Sequence, residues 1–169
     1  SVLHSANLLS EAVQIDTTVG DNIPDTDDWA EYWDSIFSPF ADWIQTSFPH
    51  MHDTASPVRR ELVNKHGLLY TWPGSDPTLK PIVLMSHQDV VPVANETLDQ
   101  WIHPPFSGHI DIENQTVWGR GSVDCKLWLV STISAVETLV KSDFKPKRTI
   151  ILSIGHDEES DGKHGAQHL

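Results

Sequence analysis

Cysteine occurs once, at Cys125, so no disulfide can form within the chain and cysteine spacing says nothing about its redox compartment. Basic residues are scarce, 11 against 24 acidic ones, and the formal charge of −13 argues against nucleic acid as a partner, because phosphate binding needs clustered cations. No unbroken apolar run is long enough to cross a bilayer. Internal repeats, low-complexity linkers and a signal-peptide pattern are also missing. Ser1 in place of Met leads us to expect a processed or trimmed start. What remains is a chain of 169 residues with 38% apolar content, enough for one core, which predicts a soluble single domain.

Periodicity sketches the elements. Leu8, Leu9, Ala12 and Val13 recur at helical spacing within residues 5–15, with Ser5 available as a cap. A loop containing Gly20 and Pro24 leads to Asp25, Asp27 and Asp28. Trp29, Trp33, Ile36, Phe37, Phe40, Trp43 and Ile44 then form a wide aromatic stripe. It predicts an amphipathic helix bent at Pro39, and such a stripe is core more often than a ligand box. Residues 58–72 are expected to include a strand, most apolar over 67–70, and Pro73-Gly74 is a turn signal. Beyond it, Pro81 bounds Ile82, Val83, Leu84 and Met85, a run apolar on both faces that predicts a strand buried between layers. A hairpin is expected to join residues 109–112 to 116–118. A helix follows from Leu127 to Leu139 with Asp124 in its first turn, and then another buried strand over residues 149–154.

Chemistry-bearing residues collect at the ends of these elements. The run from Pro81 ends in His87 and Asp89, two positions apart and so on the same side of a strand, at the carboxyl end where open α/β sheets hold ligands. A neutral imidazole suits zinc, and the neighbouring carboxylate can accept the other ring N–H or steer the geometry. Asp124 stands at a helix start after Gly119 and Gly121. The last strand runs into Glu158 and Glu159, which leave a strand end in different directions, so that one can coordinate a metal while the other takes a proton from attacking water. Singly, each has a plainer explanation: a solvated turn, a helix-start aspartate, an acidic loop. Together they could line one edge of one sheet, and zinc accepts both imidazole nitrogen and carboxylate oxygen. A calcium or magnesium site is the weaker alternative, since His87 favours zinc over those hard cations.

The segments SHQDVVPV, WIHPPFSGHID, VWGRGSVDCK and GHDEESDGKHGA stand in the order and at the spacing of a family of dinuclear zinc metallopeptidases and amidohydrolases, which the chain resembles from Pro81 onward. That family includes carboxypeptidase S, Gly-Xaa carboxypeptidases and aminoacylases, and HPPFSG and GHDEE resemble the carboxypeptidase S branch most closely. The resemblance implies a three-layer α/β/α fold with a mixed sheet, two zinc ions, and hydrolysis of a peptide or N-acyl amino acid bond beside a free carboxylate. It implies that His87 binds one zinc, Asp124 bridges both, Glu159 binds the other, Asp89 orients His87 and Glu158 is the general base. The family's remaining two ligands, an acidic residue and a distant histidine, and its lid or dimerisation domain fall beyond Leu169. Residues 1–169 are therefore expected to be the N-terminal portion of one catalytic domain, carrying three of five metal-ligand positions. A truncated, inactive member serving as a folded fragment or binding module is the competing expectation. Leu127 and Trp128 follow Lys126 where the family often has small or polar residues, which predicts crowding at Asp124. Asn95-Glu96-Thr97 and Asn114-Gln115-Thr116 are glycosylation acceptors if the chain enters a secretory lumen, in keeping with the vacuolar or secreted habit of similar proteins.

Overall fold

A computed structural model of the chain describes residues 2–20 and 29–169, so the expected loop at Pro24 and the acidic lead-in of Asp25, Asp27 and Asp28 lie outside the described residues. Helix α1 spans Val2–Gln14 and buries Leu8, Leu9, Ala12 and Val13; it starts before Ser5, which sits inside the helix and not at its cap. Helix α2, Trp29–Ser47, contains Pro39 and turns Trp33, Phe37, Phe40 and Ile44 inward at helical spacing, none more than 1% exposed. The single turn α3, Pro49–His52, is held at its start by Glu137, whose carboxylate accepts the N–H groups of His50 and Met51 at 2.9 and 2.8 Å.

Residues 58–72 form a hairpin of two strands where one was expected. β1, Arg59–Val63, pairs antiparallel with β2, Gly67–Trp72, around Asn64 and Lys65, whose φ angles of 48° and 72° are left-handed. The charges of Arg59, Arg60 and Glu61 conceal β1 from a hydrophobic pattern. Then come β3, Ile82–His87, the short hairpin of β4, Ile110–Asp111, and β5, Thr116–Val117, helix α4, Lys126–Lys141, and β6, Ile150–Gly155. The main sheet has the order β1-β2-β6-β3, with β6 antiparallel to β2 and parallel to β3, so it is mixed, as the resemblance implies. Residues from α1, α2, α3, α4, β2 and β6 build one core around Tyr70, Trp72, Leu129, Ile133, Leu152 and Ile154. Among the described residues no helix is long and apolar enough to cross a membrane.

Two expectations need correction. β3 is an edge strand, not a buried one: Val83 is 50% and Met85 73% exposed, because only β6 pairs with it. Asp124 precedes α4, which begins at Lys126, so it is not in the first turn of that helix.

What positions the site is the parallel pairing of β3 and β6, with α4 in the crossover between them. Their carboxyl ends lie at one edge, with His87 opposite Gly155 in register. The segments that follow the two strands therefore meet.

Candidate metal centre

His87 closes β3 and is only 8% exposed. Its Nδ1 lies 3.0 Å from the backbone carbonyl of Asp89, which can accept its proton, and 3.3 Å from Asp89 Oδ1. The ring is thereby turned so that Nε2 faces Asp124 Oδ1 at 3.2 Å and Glu158 Oε2 at 3.7 Å. Asp89 is fully buried, and its Oδ2 accepts the backbone N–H of Glu159 at 2.8 Å, tying the end of β3 to the acidic turn after β6. Between them Gln88, also fully buried, donates its side-chain amide to the carbonyls of His66 and Gly155 at 2.8 and 3.2 Å. In that acidic turn, Asp157 Oδ2 and Oδ1 accept the N–H groups of His164 and Gly165 at 2.7 and 2.8 Å, which folds the chain back beneath Glu158 and Glu159.

Asp124 reaches the same place from the start of α4, with its side chain 77% exposed. Leu127 and Trp128, the bulk expected to crowd it, are 41% and 65% exposed, and Trp128 lines the same cavity as His87, Cys125 and Glu158. Two donor groups result, each with its ligand atoms within 4.8 Å of one another: His87, Asp124 and Cys125, and His87, Glu158 and Glu159. All five residues proposed from the sequence thus meet at one edge of the sheet, Asp89 below and the other four around the open side.

The electrostatics show what the site wants. Burial alone would favour a neutral His87, yet hydrogen bonding to Asp89 and Cys125 and the negative charge of Asp89 outweigh it and push the imidazole up to about 11. Glu159 is held above the usual carboxylate range, first by burial and then by the charges of Asp124, Asp89 and Glu158. Without a cation the cluster compensates with protons. An imidazole nitrogen with several carboxylate oxygens is a donor set that zinc accepts, so the residues present fit that ion.

The profile described as peptidase family M20/M25/M40 matches residues 83–169. The chain belongs to this family. It is 49% identical to carboxypeptidase S of Saccharomyces cerevisiae over 165 residues, 98% of this chain and 28% of that protein. It is 37% identical to the human N-fatty-acyl-amino acid synthase/hydrolase PM20D1 over 163 residues, 95% of this chain and 29% of that one. Among solved structures, an M20 family metallo-carboxypeptidase of Sulfolobus solfataricus superposes with a TM-score of 0.61 at 20% identity, covering 92% of this chain and 31% of its own, a likeness of fold. The chain thus spans less than a third of the length of these M20 relatives. Zinc is the metal the M20 family generally binds.

Sequence reasoning missed two neighbours of Asp124 in this cluster. Cys125 accepts the backbone N–H of His87 on its sulfur at 3.2 Å, a contact no pattern announces. Lys126 is fully buried and donates to the carbonyls of Ala12 and Ile15 at 3.0 and 2.7 Å. Lys126 was findable, because it shares the face of Leu129, Val130 and Ile133 at helical spacing, and a charge on an apolar face implies partners. His156 and His164 belong to neither donor group. The ring of His156 is packed edge-on against Trp33 and Phe37, at 4.8 and 5.5 Å between centroids.

Proposed function

We propose that residues 1–169 are the N-terminal portion of one zinc-hydrolase catalytic domain, and that the protein containing them hydrolyses a peptide or N-acyl amino acid bond beside a free carboxylate. The observation carrying this reading is the convergence of His87 Nε2 with Asp124 and Glu158, over a fully buried Asp89 that is itself bonded to Glu159. In it, His87, Asp124 and Glu159 would hold zinc, while Asp89 orients His87. Zinc supplies an acidified water and polarises the scissile carbonyl. Glu158 faces solvent beside His87, where its carboxylate can take the water's proton and return it to the leaving amine. The names of the relatives, a carboxypeptidase and an acyl-amino-acid hydrolase, support both substrate classes.

The test is Glu158→Gln in the full-length protein. It should keep its zinc and lose turnover by about two orders of magnitude or more, the usual scale of a general base; near-normal turnover would remove Glu158 from that role.

A second reading, that the 169 residues alone are not a competent peptidase, is favoured by the bare edge of β3 and by the ligand count. Catalytic zinc takes about three protein ligands, and this chain offers each ion about two. The isolated chain should hold sub-stoichiometric zinc after dialysis and tend to associate through β3. A preparation holding two ions per chain and cleaving a carboxypeptidase substrate would overturn this.

Asn95 and Asn114 are both exposed, which supports a secretory-pathway location, vacuolar or extracellular. Native material should lose mass on glycosidase treatment.

A further inference from the structure

Asp124 is attached to the fold by little backbone of its own, yet the metal reading needs it held against His87. What holds it is a short segment far away in sequence. Residue 126 is anchored by the Lys126 ammonium group, which donates to Ala12 O at 3.0 Å and Ile15 O at 2.7 Å and sits 5.1 Å from the centroid of the Phe40 ring. Two residues on, the same strand-like stretch grips the other ligand loop. Thr17 Oγ1 donates to Gln88 O at 2.7 Å, Val90 N donates to Thr17 O at 3.1 Å, and Val19 N donates to Val90 O at 3.1 Å. Thr17, Gln88, Asp89, Val90 and Lys126 are all fully buried, so these bonds form away from water, where hydrogen-bond geometry is most restrictive. A methionine would fill the space of the lysine stem but has no N–H to give; the Lys126 amino group ties residue 126 to two carbonyls.

We propose that segment 15–19 is a brace that sets the distance between the His87–Asp89 loop and Asp124, acting through Lys126 and Thr17 as positioning residues. The inference rests on the metal reading above for its purpose but not for its geometry. Lys126 reaches one side of the brace and Gln88 and Val90 the other, so releasing either grip lets the two ligand loops drift apart. The Cys125 thiol, bonded across the gap to the His87 backbone, reports that separation, and its alkylation can be followed on its own peptide.

The experiment compares wild type with Lys126→Met, Thr17→Val and, as a control for general destabilisation, Ile133→Ala in the same helix. All are studied at a temperature where circular dichroism shows them folded. Both measurements use the full-length protein: iodoacetamide alkylation of Cys125 without metal, read by peptide mass, and zinc affinity by calorimetric titration. The brace predicts alkylation at least about ten-fold faster in both positioning variants and zinc binding about 10–100-fold weaker, the usual cost of losing a group that orients a ligand. Ile133→Ala should leave both within about two-fold of wild type. Should Lys126→Met fail to fold, Thr17→Val, which preserves shape, carries the test. Unchanged alkylation in the folded variants, or an equal rise in Ile133→Ala, overturns the brace. No zinc uptake by wild type, with the alkylation contrast intact, sinks the metal reading and leaves the brace standing.

Discussion

His87 and His156 lie at the ends of two neighbouring parallel strands, one residue apart in register, and are driven in opposite directions. His87 faces Asp124 and Glu158, and its bonds to Asp89 and Cys125 raise it to about 11. His156 is fully buried, its ring nitrogens have no hydrogen-bond partner, and it packs against Trp33 and Phe37 with His66 nearby. Burial first, and then the other histidines, lower it to about 3. The strands differ in the same sense. β6 is paired on both sides and buries Leu152 to 2% exposure, while its register neighbour Leu84, on the β3 edge, is 41% exposed. Adjacent backbone does not mean shared environment. One strand end is buried among aromatic rings, and the other is acidic and open.

The sharpest test of that contrast is one substitution made on both strands. Leu152→Ala should cost about 2–5 kcal/mol in chemical denaturation, as a fully buried leucine does. Leu84→Ala should cost under about 1 kcal/mol, because much of its side chain is already in water. Equal losses would mean that β3 is covered in solution, by a second copy or by further chain.

Next in size is the acid limb of stability. The folded pKa of His156 lies below its unfolded value of 6.5, so the stability associated with its neutral form is fully present above 6.5 and is lost as pH falls toward 3. The slope from this one group is at most about 1.4 kcal/mol per pH unit. His156→Phe should flatten urea midpoints measured between pH 6.5 and pH 4, and an unchanged slope would place the acid sensitivity elsewhere.

His87 has the opposite sign: its contribution is fully present below 6.5 and lost as pH rises through about 11. Zinc binds the neutral ring, so uptake at neutral pH should release about one proton from this residue. Calorimetry in two buffers of different ionisation enthalpy reads that number. His87→Asn should abolish the release, and its persistence would mean that another group yields the proton.

How much could be read beforehand varies element by element. Helices α1, α2 and α4 announce themselves by period, because burial of one face repeats along the local geometry, and strands β2, β3 and β6 by short apolar runs. β1 does not, since an edge strand needs no apolar face and Arg59, Arg60 and Glu61 look like loop. The run from Ile82 to Met85 looks as apolar as that from Ile150 to Ile154, and no local signal says that one has two neighbours and the other a single one. At the centre, His87, Asp89, Asp124, Glu158 and Glu159 were legible because each stands where an element ends. Cys125, Gln88 and Thr17 were not, because their roles lie in contacts across 38, 22 and 71 residues.

The sequence by itself determined the chemistry on offer and the elements that carry it: an imidazole and four carboxylates at strand ends and a helix start, in the order of the M20 family. Side-chain type and hydrophobic period are local properties, so they survive without a fold. Only the tertiary structure decided which histidine is charged, which strand is an edge, and that Lys126 joins α1 to the start of α4. Those outcomes depend on solvent exclusion and on charges within a few ångströms, supplied by residues distant in the chain.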